Sequence, residues 1–146
     1  MEQLVISNRP IKNAVYFESP ASLELYLSQH PEIKTLIFSF WSHVVPKPTL
    51  DAYKCYGLHI GPLLEGKGKG GSPIENLKNA GVTITTLCAF EMDETIDGGR
   101  VRLAIPIYID KPKEAIVSFV DSMLPYITEY LTYDSPEVPE RFWRLK

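Results

Sequence analysis

The sequence predicts an α/β three-layer sandwich with a mostly parallel sheet, and three observations lead to this prediction. Strand-like and helix-like segments alternate along the chain. The run Thr35–Trp41 (TLIFSFW) is continuously apolar, which is typical of a strand that is buried on both faces in a parallel sheet. Residues Pro112–Tyr130 carry apolar side chains at a spacing that covers one face of a helix. The 146 residues, 45% of them hydrophobic, are expected to form one domain, 1–146.

The N-terminal part is predicted to form three strands and one helix. Leu4–Ser7 and Val15–Phe17 are short β-prone segments on either side of an Asn-Arg-Pro turn. The helix Ala21–His30 follows a cap at Glu18-Ser19-Pro20 and ends at the next proline. Thr35–Trp41 should then be a central strand of the sheet.

The remaining elements are bounded by glycines and prolines, of which the chain has 9 and 12. Pro73–Ala80 is predicted to be helical, with Ser72 as its N-cap and Gly81 as its stop. Pro106 favours an edge position or a bulge for the strand that contains it. The predicted strands of this part are Lys54–Ile60, Val82–Phe90 and Val101–Ile109, and the last helix is Pro112–Tyr130.

Charge and composition argue against several classes of protein. Fifteen basic and 18 acidic side chains give a net charge of −3, which disfavours binding to nucleic acid. No apolar run is long enough for a membrane helix, and Met1–Pro10 lacks the pattern of a signal peptide, so a cytoplasmic protein is expected. Cys55 and Cys88 form no C-x-x-C pair, and buried free thiols are expected rather than a metal or redox centre.

Ligands of open α/β sheets collect at the carboxyl ends of the strands, which directs attention to the residues after Trp41, around His59 and after Phe90. His59 could exchange protons near neutral pH, or it could be hydrogen-bonded into the fold. Gly66–Ser72 could cradle a phosphate, but it matches no phosphate-binding motif and a flexible loop is favoured. The acidic residues in 91–97 do not have EF-hand spacing and are expected to be solvated, except that Asp97 precedes a Gly-Gly turn.

The order and spacing of short motifs resemble those of the formyltransferases that use 10-formyltetrahydrofolate. The likeness spans Thr35 to Ile109 and implies a Rossmann-like formyltransferase fold. The motifs that carry it are Leu36–Pro46, Gly57-Leu58-His59, Leu63-Leu64, Gly70–Pro73, Gly81-Val82-Thr83 and Ile96–Gly99.

This resemblance implies a site made of two catalytic residues and a folate-binding surface. His59 would carry the proton that the acceptor amine loses when it attacks the formyl carbon, and Asp97 would orient His59 or a water and support the charged imidazole. Trp41 could stack on the pterin ring or be packed in the core. The folate contacts implied are Phe40, Trp41, Ser42, Val44, Glu91 and Asp93.

Three features depart from the family pattern. Gly57 stands where the family has an asparagine, whose amide would stabilise the oxyanion; losing one such donor typically costs about 10² to 10³ in rate. The segment after His59 is stretched and lacks a proline after Leu64. Met1–Phe17 stands in place of a complete β-α-β unit, which often helps to hold the acceptor.

The leading hypothesis is a formyltransferase of cytoplasmic one-carbon metabolism. It would transfer a formyl group from 10-formyltetrahydrofolate to a small-molecule amine, such as a nucleotide-linked amino sugar, without a metal. Two alternatives are hydrolysis of the formyl donor and folate binding with little or no turnover. The edge strand Val101–Ile109 and the apolar C-terminal helix could form a homodimer interface or be covered within one chain.

Overall fold

The computed structural model describes residues 2–61, 73–93 and 99–143. Six strands form one sheet in the order β2-β1-β3-β4-β5-β6, with helices on both faces, which confirms the predicted α/β sandwich. The elements are β1 (Gln3–Ser7), β2 (Val15–Tyr16), α1 (Pro20–Ser28), β3 (Thr35–Ser39), α2 (Lys47–Ala52), β4 (Lys54–Ile60), α3 (Pro73–Asn79), β5 (Ile84–Glu91), β6 (Val101–Tyr108), α4 (Lys113–Tyr130) and a 3-10 turn (Glu140–Phe142).

The sheet is parallel over β2, β1, β3 and β4, and antiparallel at β5 and β6. The carboxyl ends of β1, β3 and β4 therefore meet at one edge of the sheet, called here the carboxyl edge. Because β5 runs in the opposite direction, its carboxyl end lies beside the amino end of β4. The expectation that the loop after Phe90 starts from the same edge as the residues after β3 and β4 is wrong for this reason.

Alternate residues of the strands pack into different layers. Leu36 and Phe38 of β3 pack toward α1, together with Leu23 and Leu27 of that helix. Ile37 packs on the opposite face, in the layer formed by α3 and α4. The helix α4 buries Ile116, Val117, Val120, Leu124 and Ile127 and continues through Pro125. This arrangement accounts for the continuous apolar pattern of β3, because the strand is buried on both faces.

Several local predictions are confirmed. Ser19 caps α1 by accepting a hydrogen bond from the Ser22 N–H in a capping box, as the Glu18-Ser19-Pro20 pattern indicated. Edge strand β6 contains Pro106, where the missing N–H costs no sheet hydrogen bond. Phe142 and Trp143 are aromatic residues whose place in the tail predicts contact with the body of the domain, and the Trp143 carbonyl accepts a hydrogen bond from Thr86 Oγ1 at 2.8 Å.

Three details differ from the predictions. Strand β3 ends at Ser39 rather than Trp41, because Phe40 has a φ of 53° and leaves the extended conformation. The helix α2 was not predicted, since prolines at its start resemble a loop although proline is tolerated in a first helical turn. Phe142 does not hold the tail, because it is 55% exposed. Within the described ranges, no helix is both long and apolar enough to cross a membrane.

Candidate active site

The candidate site lies at the carboxyl edge, where the chain leaves β1, β3 and β4. Parallel register pairs Phe38 with Gly57, so β3 ends one residue later beside the part of β4 that leads to His59. On the other side, β1 ends at Ser7, which pairs with Ser39. The structure therefore brings together the segments after β1 and β3 and the histidine of β4, as the carboxyl-end rule predicts.

His59 is half-buried near the end of β4, on the same face as Cys55 and Gly57. Its Nδ1 is 3.1 Å from the carbonyl oxygen of Gly61. Because a carbonyl can only accept a hydrogen bond, this contact assigns the proton to Nδ1. In the neutral ring Nε2 then carries a lone pair and is able to accept a proton.

Gly61 has the backbone geometry that this contact requires. Its φ of 107° lies in a region that side chains other than glycine rarely adopt, and its N–H donates to the Thr86 carbonyl at 2.8 Å. The residue is thus fixed to β5 while its carbonyl faces back to the imidazole. Nothing in the sequence assigned this role to Gly61, because the local backbone direction of a loop glycine cannot be read from its neighbours.

The ring of Phe90 covers the position where the family has an asparagine side chain. Gly57 pairs with Phe90 across β4 and β5, and a Cβ placed on Gly57 would lie 2.7 Å from Cζ of that ring. A side chain at position 57 therefore requires the Phe90 ring to move. The space beside Gly57 is filled by an aromatic ring rather than by a polar group.

The segment Phe40–Ser42 leaves β3 in a strained conformation. The left-handed φ of Phe40 costs roughly 1–2 kcal/mol for a residue with a side chain. Trp41 is half-buried, with its ring 5.7 Å from that of Phe38 and 5.1 Å from that of His43. Its packing with Phe38 accounts for the buried part of the indole.

An apolar groove runs between this segment and α1. Trp41, Val44 and Val45 line one side, and Pro20, Leu23 and Leu27 line the other. Val44 is 80% exposed, and Ser42 is also exposed. The predicted folate contacts Phe40, Trp41, Ser42 and Val44 are thus close together along the chain and accessible from the carboxyl edge.

Glu91 and Asp93 lie elsewhere, near the amino end of β4. The Met92 N–H donates to the Cys55 carbonyl at 2.9 Å, which fixes this stretch there. The carboxylate of Glu91 accepts a hydrogen bond from buried Arg102 at 3.0 Å and lies 3.9 Å from Arg100. Asp93 is exposed. These two predicted folate contacts thus follow β5 toward the amino end of β4, whereas Phe40–Ser42 follow the carboxyl end of β3, and their role in folate binding stays a prediction.

Several predicted features lie outside the described residues. Among them are Asp97, the second predicted catalytic residue, the Leu63-Leu64 pair and the glycine-rich stretch 66–72 with its Ser72 cap. The roles assigned to them remain predictions.

The two cysteines are buried and unbonded, as expected. Burial raises the pKa of the Cys55 thiol to about 12 and that of Cys88 to about 11. Both thiols are therefore protonated at neutral pH and weakly nucleophilic. In the described part of the chain, His, Cys, Asp and Glu side chains form no group of three that could hold a metal ion.

Comparison with known proteins finds likeness in structure. No family model and no curated protein sequence matches the chain. Methionyl-tRNA formyltransferase from Clostridium thermocellum superposes with a TM-score of 0.72 and 21% identity, over 100% of this chain and 74% of that chain. Phosphoribosylglycinamide formyltransferase from Streptococcus pneumoniae TIGR4 superposes with a TM-score of 0.60 and 25% identity. The superposition covers 80% of this chain and 70% of that chain.

A third similar structure is HypX from Aquifex aeolicus in complex with tetrahydrofolic acid. Its TM-score is 0.59 at 15% identity, over 99% of this chain and 29% of that chain. The chain thus spans less than a third of HypX. Together the three likenesses show that the chain has the Rossmann-like fold of the formyltransferases.

Proposed function

We propose that this chain, which has the formyltransferase fold, transfers a formyl group from 10-formyltetrahydrofolate to an amine. One observation carries the proposal: the Gly61 carbonyl holds the imidazole of His59 at the carboxyl edge with Nε2 left to accept a proton. An amine that attacks a formyl carbon must lose a proton, and a histidine at this place can take it. The bound tetrahydrofolate in the HypX structure supports the choice of donor.

The segment after β3 has features that fit a pterin ring. Within the described part of the chain, the backbone N–H and C=O groups of Trp41, His43 and Val44 have no hydrogen-bond partner. A pterin presents donors and acceptors along one edge, which such backbone groups can match. The half-exposed indole of Trp41 offers an aromatic surface beside them. Phe40, Trp41, Ser42 and Val44 are therefore proposed as the folate-binding segment.

In the proposed reaction the folate supplies the formyl group. The amine nitrogen forms a bond to the formyl carbon, His59 Nε2 accepts the proton that the nitrogen loses, and the imidazolium returns a proton to the departing folate nitrogen. Asp97 is proposed to support the cationic imidazole.

The acceptor is proposed to be a small-molecule amine, such as a nucleotide-linked amino sugar, rather than nucleic acid. The net charge of −3 disfavours nucleic acid as the acceptor. We place the reaction in one-carbon metabolism of the cytoplasm, and homodimer formation remains a proposal.

A second candidate function is folate binding with little or no turnover. The observation that favours it is the Phe90 ring over Gly57, since an aromatic ring cannot donate a hydrogen bond to the oxyanion of the tetrahedral intermediate. Transfer then depends on a donor from another part of the site or from the acceptor itself. The two candidates share the folate-binding segment and differ in chemistry.

One assay separates these candidates. The purified chain is incubated with 10-formyltetrahydrofolate, with and without candidate amines, and the products are analysed by mass spectrometry. A formylated amine supports transfer, whereas release of tetrahydrofolate and formate without an amine indicates hydrolysis. Saturable folate binding without either product indicates the binding protein, and no binding contradicts all three.

Variants of the two predicted catalytic residues test their assignment. His59→Ala and Asp97→Asn should each lower the transfer rate by about 10² to 10⁴ while the circular dichroism spectrum is unchanged. His30→Ala is the matched control, because His30 follows the end of α1 and its Nδ1 contacts the Tyr26 carbonyl at 2.8 Å. Unchanged rates in both site variants would refute the assignment.

A further inference from the structure

Asn8 connects three segments of the carboxyl edge through one side chain. Its Nδ2 donates to the Phe17 carbonyl at 2.7 Å, at the end of β2. Its Oδ1 accepts from the backbone N–H of Ser42 at 2.9 Å and from Ser42 Oγ at 2.8 Å. The Ser42 N–H and the Ser42 hydroxyl thus both donate to a residue that lies 34 positions earlier in the chain.

The backbone around Asn8 holds the same segment. The Asn8 N–H donates to the Phe40 carbonyl at 3.1 Å. The guanidinium of Arg9 lies 5.8 Å from the centre of the Phe40 ring, and Ser7 Oγ fixes Arg9 by accepting from its N–H at 2.9 Å. Residues 7–9 therefore contact the segment at its backbone, at its ring and at Ser42.

These contacts explain how an unfavourable conformation persists. Phe40 has a left-handed φ of 53°, which a residue with a side chain adopts only where its surroundings fix it. The segment turns out of β3 at this residue and presents the backbone groups of Trp41, His43 and Val44, which have no hydrogen-bond partner among the described residues. Without the Asn8 side chain, Ser42 would lose both hydrogen bonds to Oδ1, and only the backbone bond from residue 8 to the Phe40 carbonyl would remain.

We propose that Asn8 is a positioning residue that sets the conformation of Phe40–Ser42 and thereby the affinity of the chain for a reduced folate. This inference rests on the proposed function, since it assigns the folate to that segment. Asn8 follows the end of β1 and would act through Ser42, without itself contacting the pterin. A merely structural Asn8 would change folate affinity only in parallel with stability.

Three variants separate the two roles. Asn8→Ala removes every side-chain bond. Asn8→Asp keeps an acceptor for Ser42 but places a carboxylate oxygen against the Phe17 carbonyl, so it should lower stability while the segment keeps its contacts. The matched control is Asn13→Ala, because Asn13 lies in the same connection and its Nδ2 donates to the Asp121 carbonyl on α4 instead.

The experiment measures the dissociation constant for tetrahydrofolate by calorimetry and the urea midpoint for each variant. Asn8→Ala should weaken binding by at least about tenfold, since several hydrogen bonds of about 1 kcal/mol each are lost. Asn8→Asp should have a lower urea midpoint than the wild type but bind tetrahydrofolate within about threefold of it. Asn13→Ala should bind as the wild type does.

Wild-type affinity in Asn8→Ala would overturn the inference, and so would loss of affinity in both Asn8 variants in proportion to their loss of stability. If Asn8→Ala does not fold, Asn8→Ser, whose shorter side chain cannot reach both Phe17 and Ser42, should still weaken binding measurably; unchanged affinity there overturns the inference. Failure of the wild type to bind tetrahydrofolate contradicts the proposed function itself and is thereby distinguishable.

Discussion

At the scale of single residues, Gly57 and Phe90 act as one unit. The Phe90 ring occupies the space that a side chain at position 57 would need. An apolar ring therefore replaces a polar group two residues from the candidate base His59. A side chain at position 57, such as the asparagine that the resemblance calls for, would require the Phe90 ring to move.

The close approach of Gly57 and Phe90 predicts non-additive energetics. Gly57→Ala should lower the free energy of unfolding by about 1–3 kcal/mol, because its Cβ forces the buried Phe90 ring to shift. In the double variant Gly57→Ala with Phe90→Leu, the loss should be smaller than the sum of the two single losses by at least about 0.5 kcal/mol. Urea unfolding of the four proteins measures this coupling, and simple additivity would contradict the contact.

The buried thiol of Cys88 predicts a pH effect with a definite sign. Its pKa is raised by burial from 9.0 to about 11, so an unfolded chain releases this proton at lower pH than the folded one. Stability from this group is complete below pH 9 and falls as the pH rises toward 11, with a slope of at most about 1.4 kcal/mol per pH unit. The free energy of unfolding, measured from pH 8 to 10.5, should fall more steeply in wild type than in Cys88→Ala. Equal slopes in the two proteins would contradict a Cys88 pKa that is raised by burial.

At the scale of elements, Arg102 of β6 connects the sheet to the chain after α4. Its guanidinium donates to Glu91 Oε2 at 3.0 Å, to Ser135 Oγ at 2.9 Å and to the Tyr133 carbonyl at 2.6 Å. The Arg102 side chain is 3% exposed. Such a buried cation is tolerated because each side of its planar fork has a partner. Glu91 is thus engaged in holding β5 and β6 to the C-terminal tail.

This network predicts a large difference between two arginines that contact the same carboxylate. Arg102→Met should destabilise the protein by about 3–5 kcal/mol, because it leaves buried acceptors without a donor. Arg100→Met, whose side chain is 53% exposed and 3.9 Å from Glu91, should change stability by less than about 1 kcal/mol. Thermal and urea unfolding of both variants test this; a similar small loss for Arg102→Met would refute the structural role of the network.

Elements with a strong local pattern were predictable from the sequence, whereas their relative directions were not. Lys54–Ile60 was predicted with the bounds it has, and the cap of α1 was identified from Ser19 and Pro20. The direction of β5 was missed, because a β-branched strand has the same pattern in a parallel and an antiparallel pair. Because of that reversal, Glu91 and Asp93 follow the end of β5 near the amino end of β4, whereas Phe40–Ser42 follow the carboxyl end of β3.

The site was predictable where one side chain carries the chemistry, and unpredictable where it depends on contacts between distant residues. His59 stands out in the sequence as a histidine before a glycine at a strand end. The contributions of Gly61, Phe90 and Asn8 depend on a backbone angle, a cross-strand contact and hydrogen bonds across 34 positions. No local pattern encodes such features.

At the scale of the whole molecule, the buried sheet positions the candidate site residues at its carboxyl edge. The four parallel strands hold the carboxyl edge, and helices on both faces bury the strands that lead to it. The antiparallel pair β5 and β6 extends the sheet and brings Phe90 beside Gly57. We propose that this edge binds a reduced folate between the segment after β3 and His59.

A titration of the isotopically labelled chain with tetrahydrofolate, followed by amide and imidazole NMR signals, tests that claim most directly. Saturable one-to-one binding is expected, with the largest shifts at Phe40–Ser42, Val44 and His59 and with small shifts at the distant Tyr126 of α4. Absence of saturable binding, or shifts confined to residues away from the carboxyl edge, would contradict the account.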